Sequence, residues 1–128
     1  MLRIILRHLT GSRATEVDVI PLGAHRELIL GRASSAAVRF DPTMESFVGR
    51  YHARIAPSDE EPARLILADL KSRNGTFVNG MRIERAVVLH AGDVVRLGES
   101  GPEIEVQMER MIDLPMDSSS VKAPTSSV

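Results

Sequence analysis

Hydrophobic and polar positions alternate with a period of two along most of this chain. At Glu103-Ile104-Glu105-Val106-Gln107-Met108-Glu109 apolar residues hold every second position between charged or polar ones. A strand with one face in the core and the other in water shows this pattern, because successive side chains point to opposite faces. Leu2, Ile4 and Leu6 alternate likewise with Arg3, Ile5 and Arg7. Further strands are predicted at 16–21, 27–30, 38–40, 51–56, 64–70, 76–78, 86–89 and 94–97. Breakers separate them: Gly11-Ser12, Pro21-Leu22-Gly23, Asp41-Pro42, Pro57-Ser58-Asp59, Asn74-Gly75, Asn79-Gly80 and Ala91-Gly92-Asp93. Asn-Gly tolerates positive φ at both residues and is the strongest short hairpin signal. About ten short strands joined by turns predict an all-β sandwich. No long helical period is present, which disfavours parallel α/β folds and their nucleotide sites.

From about Met111 the pattern stops. Ser118, Ser119, Ser120, Ser126 and Ser127 with Pro115 and Pro124 bury too little apolar surface to offset ordering entropy. Residues 1–110 are therefore read as the domain and 111–128 as a disordered tail or linker, with room for further domains beyond it.

Composition narrows the function classes. A chain of 128 residues suffices for one hydrophobic core. With 16 Lys+Arg against 17 Asp+Glu and 3% aromatics, nothing favours a nucleic-acid ligand, which calls for a basic stripe or stacking rings. The absence of cysteine excludes disulfides, thiol catalysis and Cys-ligated zinc. His8, His25 and His90 lack metal-ligand spacing and receive no role, so no metal or cofactor is expected. The opening apolar run is broken by Arg3 and Arg7 and lacks a small-residue cleavage site, so it is not read as a signal peptide. No stretch approaches the ~20 apolar residues that span a bilayer. A cytoplasmic protein with no membrane partner is the expectation.

Three stretches suit anion binding in loops better than strand packing. They are Gly31-Arg32; Val48-Gly49-Arg50-Tyr51-His52-Ala53-Arg54-Ile55; and Asp69-Leu70-Lys71-Ser72-Arg73-Asn74-Gly75-Thr76-Phe77-Val78-Asn79-Gly80. In this order they resemble the forkhead-associated (FHA) domain, with its Gly-Arg, its Ser-Arg-x-His, and its Asp-x-x-Ser-x-Asn-Gly-Thr-x-Val-Asn-Gly. The resemblance covers about residues 2–108. It implies a β-sandwich of about eleven mostly antiparallel strands whose loops at one end grip a phosphothreonine peptide.

A phosphothreonine carries nearly two negative charges and three acceptor oxygens. Arg32 suits a charge-assisted, bidentate contact to them. Asn74 matches the position whose amide holds the ligand backbone, an amide offering both donors and an acceptor. Ser72 and Arg73 share its loop and are within reach of the phosphate or the ligand residues beyond it, and Arg50 lines the groove. By the same resemblance His52 braces the loops, Gly31, Gly75 and Gly80 meet backbone requirements, and Thr76 and Asn79 belong to the structural motif.

One position departs from the pattern. Gly49 stands where the family's phosphate-contacting Ser would be, leaving only a backbone N–H there. Losing a hydrogen bond to a charged group, worth about 1.5–3 kcal/mol, lowers affinity by about one to two decades. Arg73, where a small hydroxyl residue is common, is read as compensating with a second charge.

The leading expectation is phosphothreonine-dependent protein interaction, weakened by salt and by pH falling through about 6. The alternative, raised by Gly49, is a phosphate-independent interaction module on the same scaffold. An enzyme would need a nucleophile beside a base, for which only His52 with Ser34 or Ser72 offers; no nucleophile elbow, metal set or phosphate loop accompanies them. Thr125 in the tail, once phosphorylated, is a tethered ligand for these loops in cis or in trans. If Arg73 compensates for Gly49, Arg73→Ala weakens phosphopeptide binding in calorimetry; unchanged affinity would remove that role.

Overall fold

The computed structural model describes residues 2–22 and 26–110. His25, the tail 111–128 and Thr125 lie outside the described residues. The strands in chain order are β1 (Leu2–His8), β2 (Val17–Leu22), β3 (Leu28–Gly31), β4 (Val38–Arg39), β5 (Ala53–Pro57), β6 (Leu65–Asp69), β7 (Thr76–Val78), β8 (Met81–Arg82), β9 (Val87–Leu89), β10 (Val94–Leu97) and β11 (Glu103–Arg110). They form a six-stranded sheet, β2-β1-β11-β10-β7-β8, and a five-stranded sheet, β4-β3-β5-β6-β9. Every pairing is antiparallel except β3 with β4, which run parallel with Leu30 opposite Val38.

The alternating residues do what their period requires. Ile4 pairs with Met108, Leu6 with Val106 and Val95 with Ile104, so one face of the larger sheet is apolar. Leu28 opposite Ile55 and Leu67 opposite Ile55 supply the facing layer from the smaller sheet. Ile4, Leu6, Leu28, Leu30, Ile55, Leu65, Leu67, Leu97, Ile104 and Val106 are fully excluded from solvent between the sheets. Burial of each such side chain contributes about 1.5–3 kcal/mol, which is the main drive for closing the sandwich.

The outer face of the larger sheet carries the intervening charges as a ladder. Arg3 pairs with Glu109, Arg7 with Glu105 and Arg96 with Glu103 across neighbouring strands. Phe77 on β7 adds a surface for Arg96, whose Cζ lies 4.5 Å from the ring centroid.

The two Asn-Gly pairs have different structural uses. Asn79 (φ 51) and Gly80 (φ 85) both take positive φ and close the tight β7–β8 hairpin, with Val78 opposite Met81. Asn74-Gly75 is not a hairpin turn. Only Gly75 has positive φ (86), and the pair ends the connection from β6 in one sheet to β7 in the other.

A buried carboxylate ties the long β4–β5 connection to the β1–β2 loop. Glu45, 3% exposed, accepts from the Ser12 N–H (2.9 Å), the Ser12 hydroxyl (2.6 Å) and the Asp41 N–H (3.3 Å). Hydrogen bonds to a charged group are worth about 1.5–3 kcal/mol. Glu45→Ala should therefore lower the unfolding free energy by about 2–3 kcal/mol in urea titration, with an unchanged m value.

Candidate functional site

The three motif stretches meet at one end of the sandwich, held there by backbone contacts. The Arg32 N–H donates to the Gly49 carbonyl (3.0 Å) and the Ala33 N–H to the Arg50 carbonyl (3.1 Å), so the β3–β4 and β4–β5 connections run side by side. This closeness explains Gly31. A Cβ there would overlap the Arg50 carbonyl oxygen and lie 2.7 Å from its carbon.

His52 joins that pair of loops to the β6–β7 loop. It is fully buried, accepts the Gly49 N–H at Nδ1 (2.9 Å), and meets the Gly75 carbonyl oxygen at Nε2 (2.8 Å). A carbonyl only accepts, so the ring is neutral with its proton on Nε2. Burial holds the His52 pKa below its usual value, against the raising influence of the Gly75 carbonyl and of Asp69. The Gly49 N–H that the sequence leaves for a ligand is thus already engaged by His52.

Asp69 braces the β6–β7 loop from below. One carboxylate oxygen accepts from the Ser72 hydroxyl and from the Thr76 hydroxyl (2.7 Å); the other accepts the Ser72 N–H (3.0 Å). The Ser72 oxygen in turn accepts the Gly75 N–H (3.0 Å). Burial raises the Asp69 pKa, but the hydroxyl and N–H donors of Ser72 and Thr76 outweigh it, with His52 adding to them. The carboxylate therefore stays below its usual range. The hydroxyl proton of Ser72 points inward at Asp69, and Thr76 is wholly buried. Asn79 lies one hairpin away. Its amide bonds the Asp93 side chain (3.0 Å) and the Val94 N–H (3.0 Å), and with Gly80 it shapes the second turn.

Above this scaffold sit the polar groups directed outward. The Arg32 Nε donates to the Val48 carbonyl, which orients the guanidinium while its terminal nitrogens keep no partner among the described residues. Arg50 is exposed and lies over the Tyr51 ring, 6.0 Å from its centroid. Arg73 is exposed beside Asn74, whose Nδ2 donates to the Phe47 carbonyl (2.7 Å). Phe47 packs its ring on the Gly98 to Gly101 turn.

Charge is distributed unevenly. Arg3, Arg7, Arg13, Arg54, Arg64 and Arg96, away from these loops, all have carboxylate partners. Arg32, Arg39, Arg50, Lys71, Arg73 and Arg82 have none among the described residues, as is also true of Arg26, Arg85 and Arg110. The loop end thus gathers several cations without carboxylate partners on a chain whose net charge is −1.

The sequence matches the FHA domain family over residues 28–98, more than half of the chain. The chain belongs to the FHA domain family. Among curated proteins, this FHA domain is 39% identical over 79 residues to an ABC transporter ATP-binding/permease protein of Mycobacterium tuberculosis, matching 62% of this chain but 8% of that protein. A structure solved in an analysis of phosphothreonine-dependent FHA domain interactions is 31% identical, with TM-score 0.66, covering 85% of this chain and 99% of the other. The FhaA FHA domain, crystallised in complex with the intracellular domain of a second protein, is 32% identical with TM-score 0.63, covering 81% and 99%. No helix among the described residues is long and apolar enough to cross a membrane.

Two residues at or near the site carry no local signal in the sequence. Glu45 finds its partner Ser12 across 33 positions, and His8 is buried with Nε2 3.0 Å from Asp18, which Arg13 also binds (2.8 Å). Asp18 thereby joins the β2 strand to the loop before it.

The His52 geometry sets a pH dependence. Its folded pKa lies below its unfolded value of about 6.5, so the folded state resists a proton that the unfolded chain accepts. The stabilisation is complete above about pH 6.5 and is lost as pH falls from there through the folded pKa. Urea unfolding at about pH 7.5 and about pH 5.5 should show this loss, and His52→Gln should show a smaller one.

Proposed function

We propose that this FHA domain is a protein-interaction module that grips a phosphothreonine-bearing segment of another protein at the loop end around His52. The carrying observation is the set of cations without carboxylate partners, centred on an Arg32 that is oriented by the Val48 carbonyl and keeps its terminal nitrogens for a ligand. A planar guanidinium held by its Nε still offers a parallel pair of N–H groups to phosphate oxygens. Arg50, steadied on Tyr51, and Arg73 add positive charge on either side of Gly49 and Asn74. The phosphothreonine-dependent interactions studied for an FHA domain 31% identical to this one support the reading.

Asn74 keeps a second amide N–H and its carbonyl oxygen for the ligand backbone, while its bond to Phe47 fixes the amide plane. Ser72 serves as a brace, with its proton on Asp69 and its lone pair on the Gly75 N–H. Gly31, Gly75, Thr76, Asn79 and Gly80 frame the loops. His52 has both ring nitrogens bonded to backbone, so it offers no free lone pair as a general base to Ser34 or Ser72. This argues for binding and against catalysis.

Gly49 is a substitution the backbone does not require. A Cβ there would meet its nearest neighbours, in His52, at 3.5–3.7 Å, ordinary contact distance. The missing hydroxyl gives the phosphate-independent reading its one supporting observation.

Calorimetry with matched phosphorylated and unphosphorylated threonine peptides tests the proposal. Binding should require the phosphate, fall at least about tenfold in Arg32→Ala, and rise about tenfold in Gly49→Ser as the hydroxyl returns. Equal affinity for both peptides, unchanged by Arg32→Ala, would establish the phosphate-independent alternative.

A further inference from the structure

Arg82 is brought to the site from a strand that the motifs do not include. Its backbone pairs with Phe77 in the β7–β8 hairpin, yet its side chain lies across Gly75, with Nε 2.7 Å and Cζ 2.9 Å from where a Cβ would stand. The glycine that the turn requires for its φ of 86 therefore also makes room for a guanidinium beside Asn74. Lys71, held at φ 57, and Arg73 lie on the same loop.

None of these three has a carboxylate partner among the described residues; Glu84 and Glu99, in neighbouring turns, form no ion pair with them. Arg96, on the same sheet face as Arg82, differs, having both Glu103 and the Phe77 ring. A phosphothreonine brings about two negative charges, which Arg32 and one neighbouring arginine balance. Lys71, Arg82 and the remainder of the cluster then still face a ligand with unbalanced positive charge. Such a field favours a segment that continues to be acidic.

We infer that the ligand is acidic beyond its phosphate, with Arg82, aided by Lys71 and Arg73, receiving an aspartate or glutamate side chain where the bound segment passes Asn74. The inference rests on the phosphothreonine reading above and names the partner class for that same site. Arg82 is a specificity-determining residue in this scheme, with Arg32 as the anchor.

The probes are synthetic phosphothreonine peptides with a short run of Asp or of Ala on the N-terminal or the C-terminal side, measured by fluorescence polarisation. One Asp-flanked peptide should bind about two- to fivefold tighter than its Ala counterpart. That advantage should vanish when ionic strength rises from about 0.1 M to about 1 M. Arg82→Ala should remove the advantage of the Asp peptide over its Ala counterpart, and Arg82→Glu should make the Asp peptide the weaker ligand. Because Arg82 is exposed, both variants are expected to fold, which their melting curves verify. Equal binding of Asp and Ala peptides on both sides, still dependent on Arg32, would overturn the inference and leave the phosphothreonine reading intact. If no phosphopeptide binds, that reading falls and the inference with it.

Discussion

The binding end is organised around one neutral imidazole. His52 sits just before β5, but its ring reaches two backbone groups on either side of the site, the Gly49 N–H and the Gly75 carbonyl. A buried N–H or carbonyl left without a partner costs roughly 1–3 kcal/mol, so each loop is held where the ring can satisfy it. Lysine and arginine lack an acceptor, while serine and threonine are too short to span both groups. The tautomer is dictated as well: the carbonyl fixes the proton on Nε2, and that leaves Nδ1 to accept.

Further constraints extend from this bridge. Asp69 gathers Ser72 and Thr76, so the loop that ends at Gly75 is itself rigid before it meets His52. On the other side Gly31 lets β3 pass against the Arg50 carbonyl, which places Arg32 next to Val48. Glu45 anchors the outer part of the same connection to Ser12. Loops fixed in this way lose little further freedom on binding, and preorganisation of that kind converts more of the contact energy into affinity.

Much of the sandwich could be read from alternation alone, because for β1, β10 and β11 the period of two is the physical cause of their placement. The short elements were harder. Met81–Arg82 forms β8 although both residues are exposed and nothing in a two-residue strand alternates. The parallel pairing of β3 with β4 has no mark in either segment. The identical dipeptides Asn74-Gly75 and Asn79-Gly80 took different conformations, since only the second is flanked by strands of the same sheet. In the site, motif order located Arg32, His52 and Asn74 together. It could not show that the Gly49 N–H serves His52, that the Ser72 proton serves Asp69, or that Arg82 reaches Gly75. Those facts depend on side-chain directions and on contacts distant in sequence.

The net charge of −1 gave no sign of a positive site, and the reason lies in register. Cross-strand neighbours on the outer face of the larger sheet pair Arg3 with Glu109, Arg7 with Glu105 and Arg96 with Glu103, so that face cancels itself locally. Exposed pairs of this sort add little stability, typically about 0–1 kcal/mol, yet they decide where charge is left over. Several of the acids are taken up by cross-strand pairs or, like Asp69 and Glu45, by loop hydrogen bonds. Arginines at the loop end have no carboxylate partner among the described residues, and a near-neutral chain thus presents cations at the end where His52 and Asp69 hold the loops.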